Sequence, residues 1–352
     1  MIYTFFYVLI RLISFGRLNS GGWLVLLSFM LIVLAAIRSP EVSDDYYNYI
    51  NYYSLMISVD KFSFGLPVEP GFYFLAKASE VLTGSHLMLF IAFAALGVGI
   101  KSYVFKNYAE FSLVSLLIYF SFYYFQFEFA HIRVGVAVGI LYLCFFLSLE
   151  RANSIWIIAG VALAMLFHYS SLCFLVSLVA YWLANSRYSY LAILSYLILS
   201  AALIVCFYLG IGAKDAIRLI SNLDFTGKLN YYLEVLDDGV LTRINVFNRL
   251  GMHVIAYLLM ISGYKRIKNL GHIALVHLHG FGILFFCMFA QIPVVAYRIS
   301  DIFLFSSVFT VPLLAHVRPQ ILTKSFIFAF SLIYFVVMVF FSGNEVYYKT
   351  IF

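Results

Sequence analysis

Apolar runs of membrane length recur from one end of this chain to the other, and no other feature restricts its fold so severely. They lie at roughly 2–15, 22–37, 86–105, 111–127, 132–149, 154–167, 168–184, 189–209, 246–263, 273–292, 299–316 and 324–341. Inside hydrocarbon every backbone N–H and C=O must be satisfied within the chain, so such runs become helices. Of the 352 residues, 64% are hydrophobic and only 11% charged, far from the balance of a soluble domain. The expected fold class is therefore all-α, a polytopic membrane protein of about twelve transmembrane helices. No hydrophilic block is long enough to fold by itself, so residues 1–352 read as a single integral membrane domain. A shorter stretch, 71–83, follows Glu69-Pro70-Gly71 and carries Lys77 and Glu80. It is too short to span and reads as a re-entrant or interfacial helix.

Charge then orients the helices. With the amino terminus outside, the inner loops hold Arg17, Lys101, Lys106, Arg151, Arg187, Lys265, Arg266, Lys268, Arg318 and Lys324, against only Glu110 and Glu150. This is the positive-inside pattern. The other fourteen of the sixteen carboxylates fall on the outer side or at outer helix ends, together with Arg38, Arg133, Arg249 and Arg298. Two hydrophilic segments, about 38–85 and 210–245, face outside. The net charge of +6 thus reports orientation, and no basic run is long enough to suggest nucleic acid. No GxGxxG or P-loop is present. Cys144, Cys173, Cys206 and Cys287 all lie inside apolar runs and read as small core hydrophobes. Residues 1–10 lack a basic n-region, so no cleaved signal peptide is expected.

Within this frame a few polar residues stand out. Arg133 opens the 132–149 run, with Glu128 and His131 just before it. It is either a snorkelling anchor or a cation turned into the bundle; the small residues Gly135 and Gly139 allow close helix approach and favour the second. His168 interrupts an apolar stretch at an outer turn, Phe167-His168-Tyr169-Ser170. It is a turn histidine or an imidazole that takes a proton or binds a hydroxyl or phosphate. Glu69 precedes a proline at a helix start, where a carboxylate suits the helix dipole, and it is also placed to meet a sugar hydroxyl. Arg298 and Asp301 form either an i, i+3 pair or a phosphate-binding arginine with its orienting carboxylate. Asn245, Asn248 and Arg249 share the outer start of the 246–263 run. Tyr46, Tyr47 and Tyr49 suit either an interfacial belt or stacking on sugars. His272, His277 and His279 lack the spacing of a metal site, since residues two apart do not share a helix face.

The ordered set of motifs resembles the EpsG-like family of bacterial polysaccharide polymerases. Arg38 … Asp45-Tyr46-x-x-Tyr49 resembles its R-x(6)-D-Y-x-x-Y signature, and Glu69-Pro70-Gly71-Phe72 its E-P-G-F step. Ile132-Arg133-Val134-Gly135-Val136-Ala137 is similar to I-R-Q-G-I-A, Phe167-His168-Tyr169-Ser170 to F-H-x-S, and Tyr297-Arg298 to a late arginine. Val134 departs from the usual Gln, and Ser39-Pro40 stands where glycine is common. The resemblance implies a Wzy-type enzyme with a GT-C-like membrane fold, working at the outer face of the bacterial cytoplasmic membrane. Such an enzyme moves a growing glycan from undecaprenyl pyrophosphate to the terminal sugar of another lipid-linked repeat unit, without metal or cofactor. Its partners would be those lipid-linked oligosaccharides, membrane lipid and a chain-length regulator protein.

In that chemistry Arg38, Arg133, Arg298 and Arg249 would face the pyrophosphate and sugars, with Asp301, Tyr46 and Tyr49 beside them. The acceptor hydroxyl needs a base, and Glu69, His168 and Asp45 are the candidates, with Glu69 placed narrowly first. Two other functions fit a charged outer cavity. A ligase would transfer finished glycan to a different acceptor, and a flippase would move the lipid-linked unit without lengthening it.

Overall fold

The computed structural model describes residues 2–14, 20–40, 43, 45–209, 246–269 and 272–341. Every regular element among them is helical. The segment 210–245, expected from the sequence to face outside, lies outside the described residues. In chain order the helices are α1 (Ile2–Ser14), α2 (Ser20–Ala36), α3 (Asp45–Ser58), α4 (Pro70–Thr83), α5 (His86–Tyr108) and α6 (Ser112–Ile118). There follow α7 (Ile132–Glu150), α8 (Ile155–Met165), α9 (Ser177–Ala184), α10 (Ser189–Tyr208) and α11 (Val246–Ser262). The last are α12 (Tyr264–Asn269), α13 (Ile273–Met288), α14 (Pro293–Leu304), α15 (Ser307–Leu313) and α16 (Gln320–Val336).

Each apolar run is helical over most of its length, but length separates two kinds of helix. Among the described residues His86–Tyr108, Ile132–Glu150, Ser189–Tyr208 and Gln320–Phe340 are long and apolar enough to cross a membrane. The pair Val295–Leu304 and Ser307–His316, bent by 47°, makes a fifth if counted as one span. The remaining runs form apolar helices of 10–17 residues. At 1.5 Å per residue these are shorter than a hydrocarbon core, so length alone gives four or five crossings.

Two helices shape the segment 38–85. The tyrosine-rich stretch is α3, which buries Tyr46, Tyr49, Tyr53 and Met56, spaced three or four apart on one face. The non-spanning stretch is α4, with Pro70 in its first turn and Gly84 closing it at φ 62°, where a left-handed residue ends a helix best. The two helices are tied by Tyr53 Oη donating to Glu80 Oε2 at 2.6 Å and Lys77 Nζ donating to the Ile57 carbonyl at 3.0 Å.

The described chain divides into two compact units. The first comprises Met1–Leu178 with Gln320–Phe352, and the second Val179–Pro319. In the first, α5 packs against α2 on one side and α7 on another, and α7 packs against α8. After α6 the backbone widens into π-helical turns, Tyr119–Tyr123 and Phe125–Ala130, before breaking at His131 and restarting as α7. In the second unit α13 packs against α10, α11 and α14. Its histidines face different neighbours. His277 meets Ser189 Oγ at 2.9 Å and Tyr196 Oη at 3.1 Å, while His279 meets His253 at 3.3 Å and Thr310 Oγ1 at 3.1 Å.

One charge assignment from the sequence is corrected. Lys101 is not an inner-loop cation: it is buried within α5 and paired with Glu128 at 2.6 Å, both side chains 1% exposed. A lysine a few residues from the end of an apolar run looks like an interfacial anchor, but the π-helical turns bring Glu128 inward to meet it.

Candidate functional site

Glu69, at the N-cap of α4, is buried yet carries no cap hydrogen bond from its side chain. Its carboxylate is used elsewhere. One oxygen, Oε2, forms an ion pair with Arg133 Nη1 from the first turn of α7. The other, Oε1, lies 3.2 Å from His168 Nδ1. Arg133 and His168 stand 64 and 99 residues further along the chain, so the carboxylate joins three segments.

The local sequence explains why they meet. Gly71 donates its backbone N–H to the Leu166 carbonyl at 2.6 Å. A Cβ at position 71 would lie 2.7 Å from that same oxygen and 2.9 Å from the Phe167 ring. Only glycine lets the start of α4 rest directly on the turn that carries His168. Phe72 packs on Phe93 with ring centres 5.6 Å apart, and Phe167 packs edge-on to Phe93 at 6.3 Å. The E-P-G-F and F-H-x-S motifs are therefore two halves of one joint.

Around Arg133 the walls are aromatic. Its guanidinium carbon is 5.9 Å from the Tyr49 ring centre and 5.8 Å from that of Tyr52. Tyr49 donates its hydroxyl to the Ala130 carbonyl at 3.0 Å, just before α7 begins. One turn earlier on α3, Tyr46 faces Arg38, which is buried with its guanidinium carbon 5.6 Å from the Tyr46 ring and 4.4 Å from that of Phe90. Arg38 Nη1 donates to the Ala35 carbonyl at 2.7 Å, while Nε and Nη2 have no hydrogen-bond partner among the described residues. Those two atoms form the edge with which an arginine grips a phosphate or carboxylate in parallel.

The electrostatics set the protonation of the cluster. Burial alone would push the Glu69 carboxyl up, but the hydrogen bond from His168 and the charge of Arg133 outweigh it and hold the group at about 2. Glu69 is thus an anion at neutral pH and can only accept hydrogen bonds. The contact with His168 then requires the proton on Nδ1, which makes Nε2 the basic atom of the ring. Burial pushes the Arg38 guanidinium down to about 10, so it remains a cation.

The sequence-selected residues fall into four groups. Glu69, Arg133, His168 and Tyr49 are brought together. Arg38, Tyr46 and Asp45 lie along the adjoining part of the same unit, with Asp45 Oδ2 3.9 Å from His131 Nε2. Arg298 and Asp301 belong to α14 in the second unit, the first half-buried and the second buried. Arg249 and Asn248 lie in the first turn of α11, whose side chains are outside what the structure describes, as is Asn245. Sequence reasoning missed Tyr52, whose ring flanks Arg133. Its signal was the i, i+3 spacing with Tyr49 on a helix not foreseen there.

A family model described as the EpsG family matches residues 22–350. No match is found among curated proteins or among solved structures.

Proposed function

This chain is a helical membrane protein that belongs to the EpsG family, and from that premise we propose that it lengthens a lipid-linked polysaccharide. Membership carries a polysaccharide-polymerase type of function. The donor is a growing glycan on undecaprenyl pyrophosphate, and the acceptor is the terminal sugar of a second lipid-linked repeat unit. The reaction takes place at the outer face of the bacterial cytoplasmic membrane, in a bundle of about twelve helical segments with a GT-C-like arrangement.

The observation that carries this reading is the carboxylate of Glu69, held between Arg133 and His168. In the proposed step His168 Nε2 takes the proton of the acceptor hydroxyl. The hydroxyl oxygen bonds to the anomeric carbon of the donor glycan, and the bond from that carbon to the pyrophosphate oxygen breaks. The pyrophosphate leaves with the electron pair, and one displacement inverts the anomeric centre. Glu69 keeps His168 in the required tautomer and stabilises its imidazolium.

Sequence alone put Glu69 narrowly ahead as the base. A carboxyl held at about 2 is a weak proton acceptor at neutral pH, so the geometry favours His168 in that role, with Glu69 as its partner. The leaving pyrophosphate needs cations, and Arg133 with the unpartnered edge of Arg38 supports such a role. Tyr46 and Tyr49 are proposed to line the sugar path. Arg249, Arg298 and Asp301 stay proposed contacts to the glycolipid, and Asp45 is the next candidate base. No metal enters the scheme, and a chain-length regulator remains the proposed protein partner.

The test is the lipid-linked glycan profile of a strain lacking the gene, with and without the gene restored. Long polymer that appears only on restoration supports the proposal. Transfer to a second acceptor would indicate a ligase, and translocation of unlengthened units a flippase.

A further inference from the structure

Lys101 and Glu128 are both almost fully buried within the first unit, where an ion pair needs a reason. The details of the network give one. An ammonium has three N–H donors, and each is used: Glu128 Oε1 at 2.6 Å, the Gly97 carbonyl at 3.1 Å and the Gly135 carbonyl at 2.7 Å. Tyr119 Oη donates to the same Glu128 oxygen at 2.8 Å. A Cβ on Gly97 would collide with the Glu128 carboxylate, and one on Gly135 would lie 3.2 Å from it. Gly97 makes the space that the carboxylate fills, while a Cβ on Gly135 would meet the Phe127 carbonyl first, at 2.7 Å.

Gly135 is two residues beyond Arg133, in the same first turn of α7. That turn has no side-chain cap and follows a backbone break at His131. Two bonds from elsewhere hold the junction. Lys101 holds the Gly135 carbonyl from α5, and Tyr49 holds the Ala130 carbonyl from α3. We propose that the Lys101–Glu128–Tyr119 network is a positioning device, which fixes the turn of α7 that presents Arg133 to Glu69 and to the pyrophosphate. Lys101 and Glu128 are positioning residues and touch no substrate. The inference rests on the reading of Arg133 as a pyrophosphate-binding cation. It explains the use of lysine: one compact ammonium joins a carboxylate to two carbonyls on different helices.

The test replaces both charges by apolar side chains of similar size, Lys101→Met with Glu128→Leu, in the full-length protein in lipid nanodiscs. Such replacements of buried pairs commonly preserve or raise stability. The expected result is a protein that melts like the parent, exchanges backbone amides faster only around residues 130–136, and polymerises about 10²-fold more slowly, the usual cost of a small displacement at a reacting centre. The reversed pair, Lys101→Glu with Glu128→Lys, restores opposite charges but turns a carboxylate toward two carbonyls. It should not recover the rate. Recovery by the reversed pair would reduce the network to charge balance and overturn the proposal, as would unchanged exchange in a folded double variant. Faster exchange with a normal polymerisation rate would uphold the anchoring and sink the role of Arg133 instead. If the double variant does not fold, Tyr119→Phe, which leaves both charges in place, should still loosen 130–136 and slow the reaction in the same sense. Parent-like exchange there overturns the proposal.

Discussion

The Lys101–Glu128 and Arg133–Glu69 pairs join the same two charges within one unit, but they are finished differently. Lys101 and Glu128 are each 1% exposed, and every ammonium proton ends on a protein oxygen. Arg133 and Glu69 are 15% and 5% exposed, with tyrosine faces beside the guanidinium and an imidazole on the second carboxylate oxygen. Lysine serves where a point charge must close a network. Arginine serves where a planar fork brings five donors to a carboxylate that engages at most two. Lys101–Glu128 closes a network inside the protein and Arg133–Glu69 is the pair proposed to face the reaction, although composition makes them look alike.

The two pairs should fail in different ways. The largest effect is expected in the proposed site, at Glu69 and its partner His168. His168→Gln should reduce polymerisation by about 10²–10⁴-fold, the usual contribution of a positioned base, with the protein still folded. Glu69→Gln should fall in the same range, because it removes both the anchor of the imidazole and the partner of Arg133. Polymer length on gels at matched protein levels reads both. Next is stability at the closed pair. Lys101→Met strands the Glu128 carboxylate and should cost about 3–5 kcal/mol, seen as a lower melting point in detergent. Arg133→Met, whose carboxylate keeps His168, should lose distinctly less. Equal losses would erase the distinction.

Arg133→Lys is a smaller perturbation. It keeps the charge and loses the fork, so about 1.5–3 kcal/mol, or roughly 10–100-fold in rate, is expected. A lysine variant at full rate would leave Arg133 only an anchoring role. Gly71→Ala pushes the α4 start off the Leu166 carbonyl. It should cost about 1–3 kcal/mol and lower activity without altering any charged group. The smallest expected effect is with pH. The folded Glu69 carboxyl, at about 2, lies below its ordinary 4.5. Its contribution to stability is therefore present above about 4.5 and lost as pH falls through about 2. Between pH 8 and 5 the Glu69 carboxyl itself stays ionised, and the anion supports the imidazolium of His168, so the parent should gain in melting point on Glu69→Gln as pH falls across that range.

Much of the candidate site is legible in the sequence. Glu69, Arg133 and His168 are polar residues at the ends of apolar runs, where each is costly without a purpose. Their meeting was not legible, because 64 and 99 residues separate the partners and long-range contacts such as Gly71–Leu166 and Tyr49–Ala130 close those distances. Helix α3 was hidden by its own composition: tyrosines on every side obscure the face formed by Tyr46, Tyr49 and Tyr53. Lys101 escapes a reading by hydropathy, which places a lysine near a run's end at the interface. The π-helical turns that carry Glu128 to it leave no mark in a periodicity count. The apolar runs were legible as helices, whereas their lengths and the bend between α14 and α15 depend on packing.

The most direct test of the central claim uses purified protein in nanodiscs with a synthetic undecaprenyl-pyrophosphate-linked repeat unit. Parent and His168→Gln are compared for the length of the lipid-linked product over time. The account predicts that the parent builds a ladder of longer products, while His168→Gln leaves single units at matched amounts of folded protein. A ladder from His168→Gln at the parent's rate would contradict it.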